Sequence, residues 1–165
     1  MRSAATIVIR PFERRDQDAA RSVILAGFLE RFGSIDATLN SDLRDITASY
    51  DRGCFIVAEC GGQLVATGAA MPESAGIARI SRMSTLARYR RRGIATAVLR
   101  RLVEHARGGG AMHIVLDTNA DWSDAIACYV AFGFVIASRQ RGGVQLALDL
   151  SRDKPQCDVG RGASG

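Results

Sequence analysis

Hydrophobic positions along this chain change their spacing several times, and each change predicts an element. Residues 6–10 form a short β-branched run stopped by Pro11, which reads as a first strand. Asp16 is suited to cap a helix, and Val23, Leu25, Phe28 and Leu29 carry that helix to about residue 29. Ser41 offers an N-cap for a second helix over residues 42–50. Residues 54–59 (C-F-I-V-A-E) read as a strand, Gly61-Gly62 as a turn, and residues 64–70 as the hairpin partner. After Pro72, residues 77–86 read as another strand.

The period then becomes helical. Ile94, Val98, Leu99, Leu102, Val103 and Ala106 share one face, with Arg100, Arg101 and Glu104 opposite. Gly108-Gly109-Gly110 stops this helix, and Arg107 suits its negative end. Residues 113–118 are a near-continuous apolar run, the pattern of a buried strand. Ser123 is placed to cap a short helix over residues 124–132, and Gly133 ends it. Residues 134–139 and 144–150 pair as a final hairpin through Arg141-Gly142-Gly143. Residues 151–165 have no apolar period and read as a flexible C-terminal tail after a single domain over residues 1–150. The order of elements predicts a mixed α/β domain built on one sheet.

Composition narrows the class. The 165 residues suffice for one ordinary domain, and with 47% apolar and 24% charged residues the chain has the balance of a globular protein. The longest uncharged run, residues 125–138, is shorter than the roughly 18 residues of a membrane span. No basic leader followed by an apolar stretch opens the sequence, so the expected location is the cytoplasm and no membrane partner is expected. Four cysteines and two histidines show no C-x-x-C or H-x-x-x-H pair, so buried thiols are expected and no metal site.

Charge is concentrated. Between Arg79 and Arg107 lie nine arginines and one acid, Glu104, a local +8 that leaves −3 for the rest of the chain out of its total of +5. One basic zone of this kind suits an anionic ligand. Its centre is Tyr89-Arg90-Arg91-Arg92-Gly93-Ile94-Ala95, between a predicted strand and a predicted helix. A helix start offers unpaired N–H groups and a positive dipole end, small residues allow close approach, and arginines add bidentate donors. An exposed arginine-rich turn with a glycine at the helix entrance would have the same sequence. The segment is neither a Walker loop nor G-x-G-x-x-G. Nucleic acid is not the expected partner, because Tyr89 is the one aromatic among these arginines available to stack on bases.

Two motifs carry a resemblance. Arg90-Arg91-Arg92-Gly93-Ile94-Ala95 matches Q/R-x-x-G-x-G/A after a strand, and Ala125-Ile126-Ala127-Cys128-Tyr129-Val130-Ala131-Phe132-Gly133-Phe134 matches a short tyrosine helix ending in glycine and an aromatic. With the strand at 113–118 between them, the chain resembles the GNAT superfamily of N-acetyltransferases. The resemblance implies a mixed, mostly antiparallel sheet of about seven strands, splayed between strands 4 and 5 and flanked by about four helices. It implies acetyl-CoA in the gap, with Arg90, Arg91, Arg92, Gly93, Ile94, Ala95 and Thr96 holding the pyrophosphate. The backbones of Met83, Ser84 and Thr85 would pair with the pantetheine arm, and a main-chain N–H near Thr85 would polarise the thioester carbonyl. Asn119 would serve the cofactor, and Tyr129 would protonate the leaving thiolate. The chain departs from the family at Trp122, where asparagine is common, at Ala87 in place of proline, and at Thr85 in place of a branched aliphatic residue.

The implied function is transfer of the acetyl group to a primary amine of a small molecule, by direct attack in a ternary complex. A protein lysine or N-terminal acetyltransferase, or a non-catalytic acyl-CoA sensor, shares the same motifs, and a homodimer is left open. Candidate bases are Glu30, Asp36, Glu59 and Glu73. The acceptor pocket is expected from residues 31–50 and the late hairpin, where Asp36, Asp42 and Asp45 would attract an amine and Arg31 and Arg44 a carboxylate. Cys128, with no histidine placed to activate it, reads as a packed thiol.

Overall fold

The protein is described here by a computed structural model covering residues 4–151. The predicted flexible tail lies outside the described residues from position 152 onward. The chain runs β1 (Ile7–Pro11), α1 (Gln17–Phe32), α2 (Ile46–Ser49), β2 (Cys54–Cys60), β3 (Gln63–Ser74), β4 (Ile77–Thr85), α3 (Ile94–Gly108), β5 (His113–Asn119), α4 (Ser123–Phe132), β6 (Val135–Gln140) and β7 (Gly143–Asp149). One seven-stranded sheet has the order β1-β2-β3-β4-β5-β7-β6. Its neighbours are antiparallel except β4 and β5, which lie parallel because α3 carries the chain back across the sheet.

Alternation along the strands feeds a core on each face. Ile56, Ala58 and Cys60 of β2 join α3 residues Val98, Leu99 and Leu102 together with Tyr129 and Phe134. Phe55 and Val57, pointing the other way, join Ala20, Val23 and Ile24 of α1 and Leu43 and Ile46 near α2. Among the described residues no helix is long and apolar enough to cross a membrane.

The expected parting of strands 4 and 5 is present. β4 pairs with β5 only at Ile77↔His113, Ala78↔Ile114 and Arg79↔Val115. Beyond Arg79, β4 keeps β3 on one side and has an open edge on the other. A bulge interrupts its pairing with β3: Thr67 faces Ser84 and Ala69 faces Ser81, so Gly68 stands against both Arg82 and Met83. Gly68 leaves room there, since a Cβ would come within 2.6 Å of Met83 Sδ and 2.8 Å of Val98 and Leu102 side-chain atoms.

Local signals were less faithful than the periods. Asp16 does not cap α1 with its side chain; it already has helical dihedrals, and its carboxylate accepts from the Glu13 amide (2.8 Å) and the Arg10 guanidinium (2.7 and 3.0 Å). Ser41 caps nothing: residues 37–44 form a 3-10 turn broken at Asn40, and α2 is a single turn whose N-cap is Asp45, accepting from the Ala48 amide at 3.0 Å. Ser123 is the first residue of α4, and Trp122 occupies the cap position without a side-chain bond. β3 runs through Pro72 to Ser74, which is tolerated because pairing with β2 ends at Ala70.

Candidate active site

The parted strands open a cavity of about 690 Å³. Ile80, Ser81, Arg82, Met83 and Ser84 of β4 form one wall, Leu116, Asp117, Thr118 and Asn119 of β5 the other. Tyr129 closes it from α4, and Phe28, Arg31 and Phe32 of α1 from the opposite face of the sheet. Tyr129 is 9% exposed and packs edge-on against Phe134, centroids 5.8 Å apart. Among the described residues no group hydrogen-bonds its hydroxyl. Burial pushes its phenol well above the ordinary tyrosine range, so it holds its proton at all physiological pH values. Its neutral hydroxyl group belongs to a residue of the cavity wall.

The turn entering α3 is the second component. Arg91 and Gly93 both have left-handed backbone (φ 60° and 75°), and Gly93 is the N-cap. The first main-chain bond of the helix is Ala97 N–H to Gly93 O at 3.0 Å. Among the described residues, the six amides of positions 91–96 therefore have no main-chain acceptor. Nothing lies within 4 Å of where a Gly93 Cβ would stand, so the concavity is open. Consecutive free N–H groups at a helix N-terminus favour an anion.

The arginines of the basic zone are partly neutralised. Arg90 donates to both Glu30 oxygens (2.7 and 2.8 Å) and from Nε to Thr85 O at 3.2 Å. Arg88 and Arg92 stack on the two-faced Tyr89 ring, at 5.1 and 5.2 Å from its centroid. Arg79 bonds Glu73 and Asp117 at the point where the strands part. Next to Glu30 on α1, Arg31 lies 4.2 Å over the Trp122 ring and 3.3 Å from Asp124. The last turn of α1 thus fastens to both lips of the split, the β4 side through Glu30 and the α4 side through Arg31.

A third component joins residues distant in sequence. Arg82, at the bulge, donates to Asp42 through Nε (2.9 Å) and Nη2 (2.5 Å), and to Asn40 Oδ1 (3.0 Å). Tyr50 donates its hydroxyl to the same Asp42 carboxylate at 2.5 Å. Burial raises the Asp42 carboxyl, but the bonds from Arg82 and Tyr50 more than offset it and hold the group below the usual carboxylate range. Asp42 is therefore a fixed anion in this wall, already engaged by protein donors.

The structure brings Met83, Ser84, Asn119 and Tyr129 to one cavity. Thr85, Arg90, Arg91, Arg92, Gly93, Ile94, Ala95 and Thr96 are not among its lining residues; Thr85 ends β4, positions 90–93 form the turn into α3, and Ile94, Ala95 and Thr96 are its first residues. Ser84 also anchors α1, donating to Val23 O at 3.2 Å. The four candidate bases do not line the cavity. Glu30 pairs with Arg90, Glu59 with Arg10, Glu73 with Arg79, and Asp36 accepts from Thr38. The carboxylates that do line it are Asp42 and Asp117. Sequence reasoning missed the Arg82–Asp42–Tyr50 set and Thr67, whose hydroxyl donates to Arg82 O at 2.8 Å. No spacing rule links positions forty residues apart; the one available signal was an arginine inside a strand pattern.

The comparisons fit this geometry. A model of the acetyltransferase (GNAT) family matches residues 20–134. N-acetyltransferase 8 of Homo sapiens is 36% identical over 108 residues, covering 61% of this chain and 48% of that protein. The chain spans about half the length of the curated relatives it matches. Among solved structures, a GNAT-family acetyltransferase from Staphylococcus aureus Mu50 superimposes with a TM-score of 0.81 at 20% identity, covering 88% of this chain and 99% of that one. The PaiA N-acetyltransferase from Thermoplasma acidophilum, in complex with coenzyme A, gives 0.75 at 13% identity over 87% of this chain and 99% of its own.

Proposed function

We propose, starting from the fact that this chain belongs to the acetyltransferase (GNAT) family, that it moves the acetyl group of acetyl-CoA to a primary amine of a small molecule. The observation that carries the reading is the cavity between β4 and β5, with protonated Tyr129 in its wall. The six unpartnered amides of positions 91–96 suit a diphosphate, so the residues present fit the donor. Acetyl-CoA supplies an activated thioester carbonyl and a thiolate leaving group. The open edge of β4 near Met83 and Ser84 would pair with the amides of the pantetheine arm as an added strand. Main-chain N–H groups of β4 would polarise the carbonyl oxygen. The acceptor amine would lose one proton to solvent, and its neutral nitrogen would then bond to the thioester carbonyl carbon. As the C–S bond breaks, Tyr129 would give its proton to the sulfur, and the second proton shed by the nitrogen would pass through water to the Tyr129 oxygen, leaving the amide and the coenzyme A thiol. Charge in the cavity is mostly paired within the protein, which leaves room for an acceptor of mixed polarity. The reading carries with it the reducing cytoplasm, where Cys54, Cys60 and Cys128, all free, remain thiols.

The test is a thermal-shift and calorimetric comparison with acetyl-CoA, followed by a panel of small amines and peptides. Donor at a hundred times its dissociation constant should add about 2.7 kcal/mol of stability. Tyr129→Phe should cut turnover by about a hundredfold and leave donor affinity within about twofold. No association with acetyl-CoA would overturn the reading. Acetylation of peptides alone would move it to a protein acceptor, and binding without any transfer would move it to a sensor.

A further inference from the structure

Arg82 has a left-handed backbone, φ 56°, in the middle of a strand. For a residue with a Cβ this costs about 1 kcal/mol or more and persists only where the surroundings over-determine it. Here they do, from two directions. The Thr67 hydroxyl, in a residue 1% exposed, donates to the Arg82 carbonyl at 2.8 Å, and Asp42 takes the guanidinium in two bonds of 2.9 and 2.5 Å. Asn40 accepts a third and Tyr50 braces Asp42 at 2.5 Å. The Arg82 side chain is only 15% exposed and Asp42 29%, and both line the cavity. Glycine would adopt this backbone freely, so the position needs its guanidinium.

The consequence concerns two halves of one site. The main chain of Arg82 forms the bulge on the donor gap, while its side chain grips the 3-10 segment that leads into α2 on the opposite face. Three of the five Arg82 N–H donors are engaged by Asp42 and Asn40, and Asp42 accepts three bonds from Arg82 and Tyr50, so the pair is held in place by protein partners. We infer that Arg82 is a positioning residue, fixed by Asp42 and Thr67, that aims the main-chain donors of the bulge at the thioester carbonyl. This rests on the proposed function, because it takes acetyl-CoA to lie along β4.

The test compares acetyl-CoA with S-ethyl-coenzyme A, a thioether lacking the carbonyl oxygen, by calorimetry. The wild type should prefer acetyl-CoA by about fivefold, the worth of one hydrogen bond. In Asp42→Asn and Arg82→Lys the preference should fall below about twofold, while affinity for the thioether stays within about twofold of wild type, a split that a general loss of structure would not produce. Arg82→Gly, whose backbone suits φ 56°, serves if a variant fails to fold, and should lose the preference in the same way. Equal wild-type affinities, or a preference that survives in the variants, would overturn this inference alone. Failure of the wild type to bind either compound would overturn the proposed function and this inference with it.

Discussion

Glu30 shows how a single side chain sets the field at the mouth of the cavity. It is 47% exposed at the side chain and holds both terminal nitrogens of Arg90, whose hydrogen bonds draw its carboxyl below the ordinary glutamate range. An exposed pair of this kind is worth at most about 1 kcal/mol, yet it lowers the positive charge available at the turn entering α3. Glu30→Gln should therefore tighten coenzyme A binding by up to about fivefold in low salt, and the gain should shrink as salt is raised. Calorimetry across a salt series checks it; weaker binding by the variant would mean that Glu30 aims Arg90 at the ligand instead. The residue scale is also where the sequence misled most. Asp42 reads as one of three acids free to attract an amine, but Arg82, forty positions later, consumes its charge.

At the scale of elements, a close joint is the crossing of α3 over the β3–β4 bulge at Gly68. A methyl there would stand 2.6 Å from Met83 Sδ and 2.8 Å from Val98 Cγ1 and Leu102 Cδ1, so Met83 would have to swing aside and the two buried α3 side chains would have to repack or carry the helix with them. Gly68→Ala should destabilise by about 1–3 kcal/mol in denaturant unfolding. A loss below about 0.5 kcal/mol would show that α3 shifts freely. Elements are also the scale at which the sequence was most readable. Val98, Leu102 and Ala106 declare α3 by their period, and 113–118 declares β5 by its apolar run, because burial on one face is a repeated signal. Caps are single-residue signals with competitors. Asp16 is drawn off by Arg10, Ser41 sits in a 3-10 turn governed by Asp36 and Asp45, and Trp122 displaces Ser123 at the head of α4. The turn at 90–96 was legible because its chemistry is local; the Arg82 set is not, because only the fold brings its members together.

For the molecule as a whole, acid stability should depend on a carboxylate far from the cavity. Asp16, with its side chain 7% exposed, ties β1 to the start of α1 through Arg10, which also holds Glu59 of β2. The Arg10 hydrogen bonds hold the Asp16 carboxyl below its usual range despite burial. The folded chain thus binds fewer protons than the unfolded one, and the associated stability is complete above the ordinary aspartate range, near pH 4, and is lost as pH falls through the depressed value. Asp16→Asn should cost about 3 kcal/mol of stability at pH 7, seen as a lower thermal midpoint, and should flatten the decline in stability below about pH 4. An unchanged acid limb would assign that decline to other carboxylates.

Only three residue pairs stitch β4 to β5, so the sheet is in effect two panels, β1–β4 and β5–β7, meeting along a short seam. The α3 crossover, the Arg79–Asp117 pair, the shared core and the paired side chains at the end of α1 also tie the two panels together. An extended guest laid along the free margin of β4 would lengthen that seam and turn two panels that can fluctuate separately into one plate, so that amide protons on both sides would come to exchange with solvent in step.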